Sequence, residues 1–177
     1  MTGPAATPPT VRDRRPGDLP ALLTLLQRTH EQEGYPVRLA AVSPQWLASP
    51  AELLGAVATD GERVVGHVAL HPAEDPEETG SLRQWQQATG REPEGLAVVT
   101  RLFTDRSVPG AGTALLAHAV QRAAELDRLA VLLVDPDSPA RAFYGRRGWQ
   151  EIGSAVQQWG HRSVDAVLML PAGASAA

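Results

Sequence analysis

Cysteine and lysine are both missing from this 177-residue chain. Without cysteine there are no disulfides, no thiolate metal ligands and no thiol nucleophile, which fits a reducing compartment. Without lysine, all 16 basic residues are Arg, and a nucleotide P-loop is excluded because G-x-x-x-x-G-K-[ST] needs its lysine. Positive charge is short as well. The net charge of −4 argues against a nucleic-acid binder drawn by general phosphate attraction. No apolar run approaches the ~20 residues that span a bilayer. The opening MTGPAATPPT has neither a basic start nor an apolar centre, so no secretory signal is read there. The expected location is the cytoplasm, with neither nucleic acid nor membrane as a partner.

What is present suits a globular protein. Hydrophobic residues make up 43% and charged residues 20%, enough to bury one core. Residues 1–10 read as a disordered Pro/Ala/Thr lead, 11–170 as a single domain, and 171–177 as a frayed tail. Val11-Arg12 begins a short strand, and Asp18 is placed to cap a helix over Leu19–Thr29, whose leucines recur at helical spacing. A short helix is expected near Pro44–Ala48. Leu53–Thr59 and Arg63–Leu70 flank Asp60-Gly61-Glu62, a hairpin signal. Residues 71–93 form a long polar connection with a helical turn at Leu82–Ala88. Glu94–Phe103 reads as a buried strand, Thr113–Leu126 as an amphipathic helix, and Leu129–Val134 (LAVLLV) as a strand covered on both faces. A short helix over Asp137–Arg147 with Pro139 in its first turn precedes two antiparallel strands, Trp149–Val156 and Val164–Leu170. The order β, α, α, β, β, β, Gly loop, α, β, α, β, β gives a mixed sheet with helices on both sides.

Two segments carry chemistry. Gly110-Ala111-Gly112-Thr113 joins a strand to a helix start, where close backbone approach and N–H groups suit a diphosphate. A plain strand-to-helix turn uses the same residues. A dinucleotide fingerprint fits less well: Leu115 stands at its third glycine, and too little chain follows Asp135 to complete a doubly wound sheet. The second segment is Asp137-Ser138-Pro139-Ala140-Arg141-Ala142-Phe143-Tyr144-Gly145-Arg146-Arg147-Gly148-Trp149. Its aromatics alone suit core packing, and its three Arg residues suit an anion site or a solvated face.

Together the segments resemble the GNAT superfamily of acyl-CoA-dependent N-acetyltransferases. Gly110 and Gly112 match the R/Q-x-x-G-x-G/A loop of that family. Ala140, Phe143, Tyr144, Gly148 and Trp149 match its N-x-x-A-x-x-F/L-Y-x-x-x-G-F/W helix. The resemblance covers roughly residues 11–170. It implies an α/β (α+β) fold with a mixed, mostly antiparallel central sheet of about seven strands and helices on both faces. It implies acetyl-CoA as co-substrate, a primary amine as acceptor and, by family analogy, a homodimer. Leu102, Phe103 and Thr104 would run beside the pantetheine arm. Ser107, Val108, Gly110, Ala111, Gly112 and Thr113 would surround the pyrophosphate, with Asp137 also at the cofactor. Tyr144 would be the general acid toward the leaving thiolate, since a phenol is protonated at neutral pH. Ser107 stands where the family has Arg or Gln, Pro109 removes an N–H, and Asp137 replaces Asn. Arg106 or Arg147 would then supply the missing charge.

The general base is less marked. Glu94 at the head of the strand is the candidate, with His67 and His71 as alternatives; a metal site on that histidine pair lacks supporting ligands. Aromatics and acids in the acceptor region (Tyr35, Trp46, Trp85, Trp159, Glu31 and Glu33) would suit a cationic amine or ordinary packing. With no cysteine to carry an acyl group, direct attack by the amine is the expected route. A non-catalytic acyl-CoA-binding module and an NAD-type dinucleotide enzyme are the competing readings.

Overall fold

The computed structural model describes residues 8–36 and 38–176. The first seven residues of the expected disordered lead lie outside the described residues. Seven strands form one mixed sheet in the order β1-β2-β3-β4-β5-β7-β6. They are β1 (Thr10–Asp13), β2 (Leu54–Asp60), β3 (Arg63–Pro72), β4 (Leu96–Thr104), β5 (Leu129–Val134), β6 (Trp149–Trp159) and β7 (Arg162–Pro171). The helices are α1 (Leu19–Glu33), α2 (Pro44–Leu47), α3 (Ser81–Thr89), α4 (Ala111–Glu125) and α5 (Pro139–Gly145). This is the mixed seven-stranded sheet that the sequence implied. Pairing is antiparallel for β1 with β2, β5 with β7 and β6 with β7, and parallel for β4 with β5 over Leu96–Val98.

Backbone contacts divide the chain into two compact units, one of residues 1–69 with 101–119 and one of 70–100 with 120–177. In the first unit, α1 buries Leu22, Leu25 and Leu26 with Leu47, Val57 and Phe103. Asp18 does not cap α1 through its side chain. Its carboxylate instead receives both Arg12 guanidinium nitrogens at 2.8 Å and the Arg15 N–H at 2.7 Å. Arg12 outcompetes the helix end because two charge-assisted bonds outweigh one capping bond. Gly61 turns the β2–β3 hairpin at φ +62.

The second unit corrects two expectations about polar stretches. The helical turn at Leu82–Ala88 is a nine-residue helix, α3, whose Trp85 is 1% exposed among Leu96, Val131, Leu168 and Leu170. Gln84 Nε2 of α3 donates to the Ser154 carbonyl of β6 at 2.8 Å. The tail is tied down rather than frayed. Ala172 N–H reaches the Gly148 carbonyl at 2.7 Å, Ala176 N–H reaches the Ala88 carbonyl at 2.8 Å, and Ala174 packs on the Trp85 cluster. The last two strands run longer than their apolar cores, meeting across Gly160-His161.

Candidate active site

The glycine loop belongs to the first unit and follows directly from β4. Asp105, the residue after the strand, organises it. One carboxylate oxygen accepts the Ser107 hydroxyl at 2.6 Å and the Ser107 N–H at 2.9 Å; the other accepts Arg63 at 3.0 Å. The Ser107 hydroxyl, then its N–H, hold this carboxyl below its ordinary range. Val108 N–H donates to the Asp105 carbonyl at 3.1 Å. The N–H groups of Ser107 and Val108 are therefore engaged within the loop, and Pro109 has none. An Asp two residues before a Ser is the local signal of such a turn.

Backbone N–H groups without a helical acceptor start later. Gly110 adopts φ +84, and a side chain added there would meet nothing within 4 Å. The first backbone bond closing α4 runs from Ala114 N–H to the Gly110 carbonyl at 3.0 Å. Helical geometry thus gives the N–H groups of Ala111 and Gly112 no acceptor inside α4. An open approach, a left-handed glycine and the start of a 15-residue helix fit a diphosphate. Arg106 is not held for that anion: its guanidinium pairs with Glu33 at the end of α1.

Tyr144 lies in the second unit on α5. Ser138 caps this helix by accepting the Ala140 N–H at 3.2 Å, with Pro139 following where no N–H is needed. Tyr144 is buried, its ring edge-on to Phe143 at 5.3 Å and tilted against Trp149 at 5.9 Å. The three aromatics of the motif thus fix one another. Arg147 stacks on the Phe143 ring at 3.6 Å and donates to the Phe143 carbonyl at 2.9 Å. Arg141 makes a two-point pair with Glu151 at 2.6 and 2.9 Å. Asp137 is exposed, and its N–H donates to the Asp135 carboxylate at 2.9 Å.

The aromatics proposed for the acceptor divide sharply. Trp85 is core. In the first unit, Arg101 lies over the Trp46 ring at 4.5 Å, and Tyr35 tilts against Phe103 at 6.3 Å. The Trp46 face that a cationic amine would use already carries a cation. Glu33 is taken by Arg106, and Glu31 accepts from Gln27 at 3.4 Å. Burial pushes the Tyr35 phenol up to about 12, with Arg101 pulling the other way, so it stays protonated. Burial also lowers the Arg101 guanidinium from its ordinary value, against the pull of Tyr35 and Glu52.

Of the base candidates, His67 is excluded by its partners. Its Nε2 lies 2.9 Å from Arg14 Nη1, and a guanidinium only donates, so Nε2 accepts. The ring hydrogen is therefore on Nδ1, donated to the Arg101 carbonyl at 3.0 Å. His67 is fully buried, with both nitrogens committed. His71 Nδ1 lies 2.9 Å from the Thr100 hydroxyl. Glu94 is exposed on the one-turn helix Pro93–Gly95 ahead of β4. Among the described residues, no group of three or more His, Cys, Asp or Glu could hold a metal ion. Nor is any described helix long and apolar enough to cross a membrane.

The acetyltransferase (GNAT) family model matches residues 19–149, most of the chain and both motifs. The chain belongs to the GNAT acetyltransferase family. It is an acyltransferase. No curated protein matches it. Similar solved structures include a ribosomal-protein-alanine N-acetyltransferase of Brucella melitensis (TM-score 0.66, 22% identity, covering 90% of this chain and 97% of that one). A probable acetyltransferase of Staphylococcus epidermidis aligns with a TM-score of 0.70 at 14% identity, covering 96% and 99%. PaiA N-acetyltransferase of Thermoplasma acidophilum, in complex with coenzyme A, aligns at 0.61 and 13% identity, covering 93% and 99%. At these identities the likeness carries the GNAT fold, and the family model carries the acetyl-transfer chemistry.

Proposed function

We propose that this GNAT protein moves an acetyl group from acetyl-CoA to a primary amine by direct attack. The observation that carries the cofactor is the start of α4: Gly110 left-handed and unobstructed, followed by backbone N–H groups without helical acceptors. When bound there, acetyl-CoA supplies an acyl group activated as a thioester. The N–H groups of Gly110, Ala111, Gly112 and Thr113 hold its pyrophosphate, with Ser107 and Val108 shaping the turn through Asp105. Leu102 and Thr104 bond the pantetheine arm through their backbone, and Phe103 between them turns its ring into the core beside Leu22 and Leu26. Asp137 lies along the cofactor's path.

The amine nitrogen forms a bond to the acyl carbon as the carbon–sulfur bond breaks. The sulfur leaves with the electron pair and takes the Tyr144 Oη proton. A phenol can donate where negative charge develops on the leaving sulfur. The ammonium proton passes through water to Glu94, with His71 beside Thr100 as the competing acceptor. With no cysteine in the chain, no covalent acyl-enzyme on sulfur is open to it.

The test compares thermal stabilisation by acetyl-CoA, CoA, NAD and ATP. Binding the correct ligand raises the melting temperature by mass action. Stabilisation by NAD without CoA removes this reading. A panel of primary amines with detection of released CoA thiol follows, and a cysteine-free enzyme gives that assay no protein background.

A further inference from the structure

A chain of buried polar groups in the first unit is not used by the chemistry above. Glu52 grips the Arg14 guanidinium with both carboxylate oxygens, the side chains being 13% and 8% exposed. Arg14 also donates to the Leu47 carbonyl at 2.6 Å and to His67 Nε2 at 2.9 Å. His67 in turn donates from Nδ1 to the Arg101 carbonyl at 3.0 Å. Its ring stacks on Phe103, with centroids 5.3 Å apart and planes inclined by 28°. His67 therefore touches β4 on both sides of Leu102.

The residue at the end of this chain is unusual. Arg101 sits inside a strand at φ +52, a left-handed conformation that a side chain disfavours. Such a residue persists only where its surroundings hold it. The carbonyl that His67 grips belongs to the same planar peptide as the Leu102 N–H, and in a trans peptide the two point in opposite directions. Fixing one fixes the other.

Space is reserved around the chain. A side chain at Gly55 would strike the Arg14 guanidinium. One at Gly66 would come within 2.8 Å of Leu115 Cδ1, 2.9 Å of Thr104 Cγ2 and 3.1 Å of the Phe103 carbonyl. Strand β3 at Gly66-His67 thus presses directly on β4 where it leads into the glycine loop.

We infer that His67, oriented by Arg14 and Glu52, is a positioning residue: it holds Arg101 left-handed and so aims the Leu102 backbone N–H toward the cofactor. The inference rests on the reading that Leu102 and Thr104 bond the pantetheine arm. It gives His67 a task that needs a neutral ring, held in one tautomer and unable to act as a base.

The test combines amide NMR of the ligand-free protein with acetyl-CoA titration by calorimetry. His67→Phe keeps the stack on Phe103 but removes both nitrogens. It should shift the Leu102 amide resonance and the Arg101 HN–Hα coupling, and weaken acetyl-CoA binding about tenfold, the order of one lost buried hydrogen bond. His67→Asn places an amide N–H near the Nδ1 position and should recover most of that affinity. Arg101→Gly removes the backbone strain, so His67→Phe should cost less affinity in that background. Should His67→Phe fail to fold, Glu52→Gln loosens the outer end of the chain and should move the same two resonances. Wild-type affinity and an unmoved Leu102 resonance in the first folded variant overturn the inference, as does a loss that His67→Asn does not repair. A wild-type chain that binds no acetyl-CoA overturns the cofactor reading itself, which this control identifies separately.

Discussion

Ser107 gives both its backbone N–H and its hydroxyl to one oxygen of Asp105, at 2.9 and 2.6 Å. The pair replaces the long polar side chain that the family motif carries at this position with a local turn. The loop is therefore shaped from inside, which leaves Gly110 and the first turn of α4 to the proposed pyrophosphate contact.

Asp105→Asn tests that arrangement. The Ser107 hydroxyl, its N–H and Arg63 all favour the ionised carboxyl and lower it from 3.8. A depressed carboxyl contributes stability above its unfolded value and loses it as pH falls through the folded one. The wild type should therefore be more stable than Asp105→Asn at neutral pH. The gap should narrow as pH falls below the unfolded value of about 4 and close once pH passes below the lowered folded one. Melting curves of the two proteins across that range decide it; a gap that is constant with pH contradicts the ionised role.

Two glycines resist alanine for different physical reasons. At Gly66 an added methyl meets Leu115, Thr104 and the Phe103 backbone at 2.8–3.1 Å, so Gly66→Ala overpacks the contact of β3 with β4. It should cost about 1–3 kcal/mol in denaturant unfolding. At Gly110 the methyl meets nothing, but the residue is left-handed at φ +84. Gly110→Ala should cost about 1 kcal/mol of stability. It should weaken acetyl-CoA binding more than its effect on stability suggests, since the donors that follow must re-aim. Unchanged acetyl-CoA affinity in a folded Gly110→Ala variant contradicts this assignment.

The sequence carried the strands and the glycine loop because their signals are local. LAVLLV is a continuous apolar run between polar residues, and it became β5 with unchanged bounds. Asp60-Gly61 turned where hairpin chemistry requires a left-handed residue. What could not be read depends on distant partners. Helix α3 is largely polar and owes its length to Trp85 in the core and to Gln84 on Ser154, 70 positions away. The tail ASA has no pattern, and its order comes from Ala88. Glu52 and His67 lie 38 and 53 positions from Arg14, so no spacing rule links the three. The acids and aromatics expected to receive an amine likewise have partners that their own segments do not show. Arg106 pairs with Glu33, and Arg101 covers the Trp46 ring.

The Arg14–Glu52 pair should dominate the stability of the first unit. Both side chains are largely withdrawn from water, so removing one charge strands the other. Glu52→Ala should destabilise by about 3–5 kcal/mol, the range for breaking a buried pair. Glu125→Ala, whose pair with Arg122 is exposed on both sides, should cost less than about 1 kcal/mol. Urea unfolding of the two variants compares them directly. Similar losses would mean that the Arg14 site is better hydrated than its burial indicates.

Tyr144→Phe separates packing from proton transfer. The phenylalanine ring retains the edge contact with Phe143 and the tilted contact with Trp149, so stability should change by less than about 1 kcal/mol. Acetyl-CoA affinity should also be kept, because the pyrophosphate contact proposed above lies at Gly110 and the first turn of α4. The catalytic rate should fall about a hundredfold to ten-thousandfold, the range for losing a positioned general acid. The loss should concentrate in kcat, since the proton is needed only as the carbon–sulfur bond breaks. A variant that binds acetyl-CoA normally and releases thiol at the wild-type rate would transfer the acid role from Tyr144 to water. One that loses binding and rate together would make the tyrosine a packing residue of the motif.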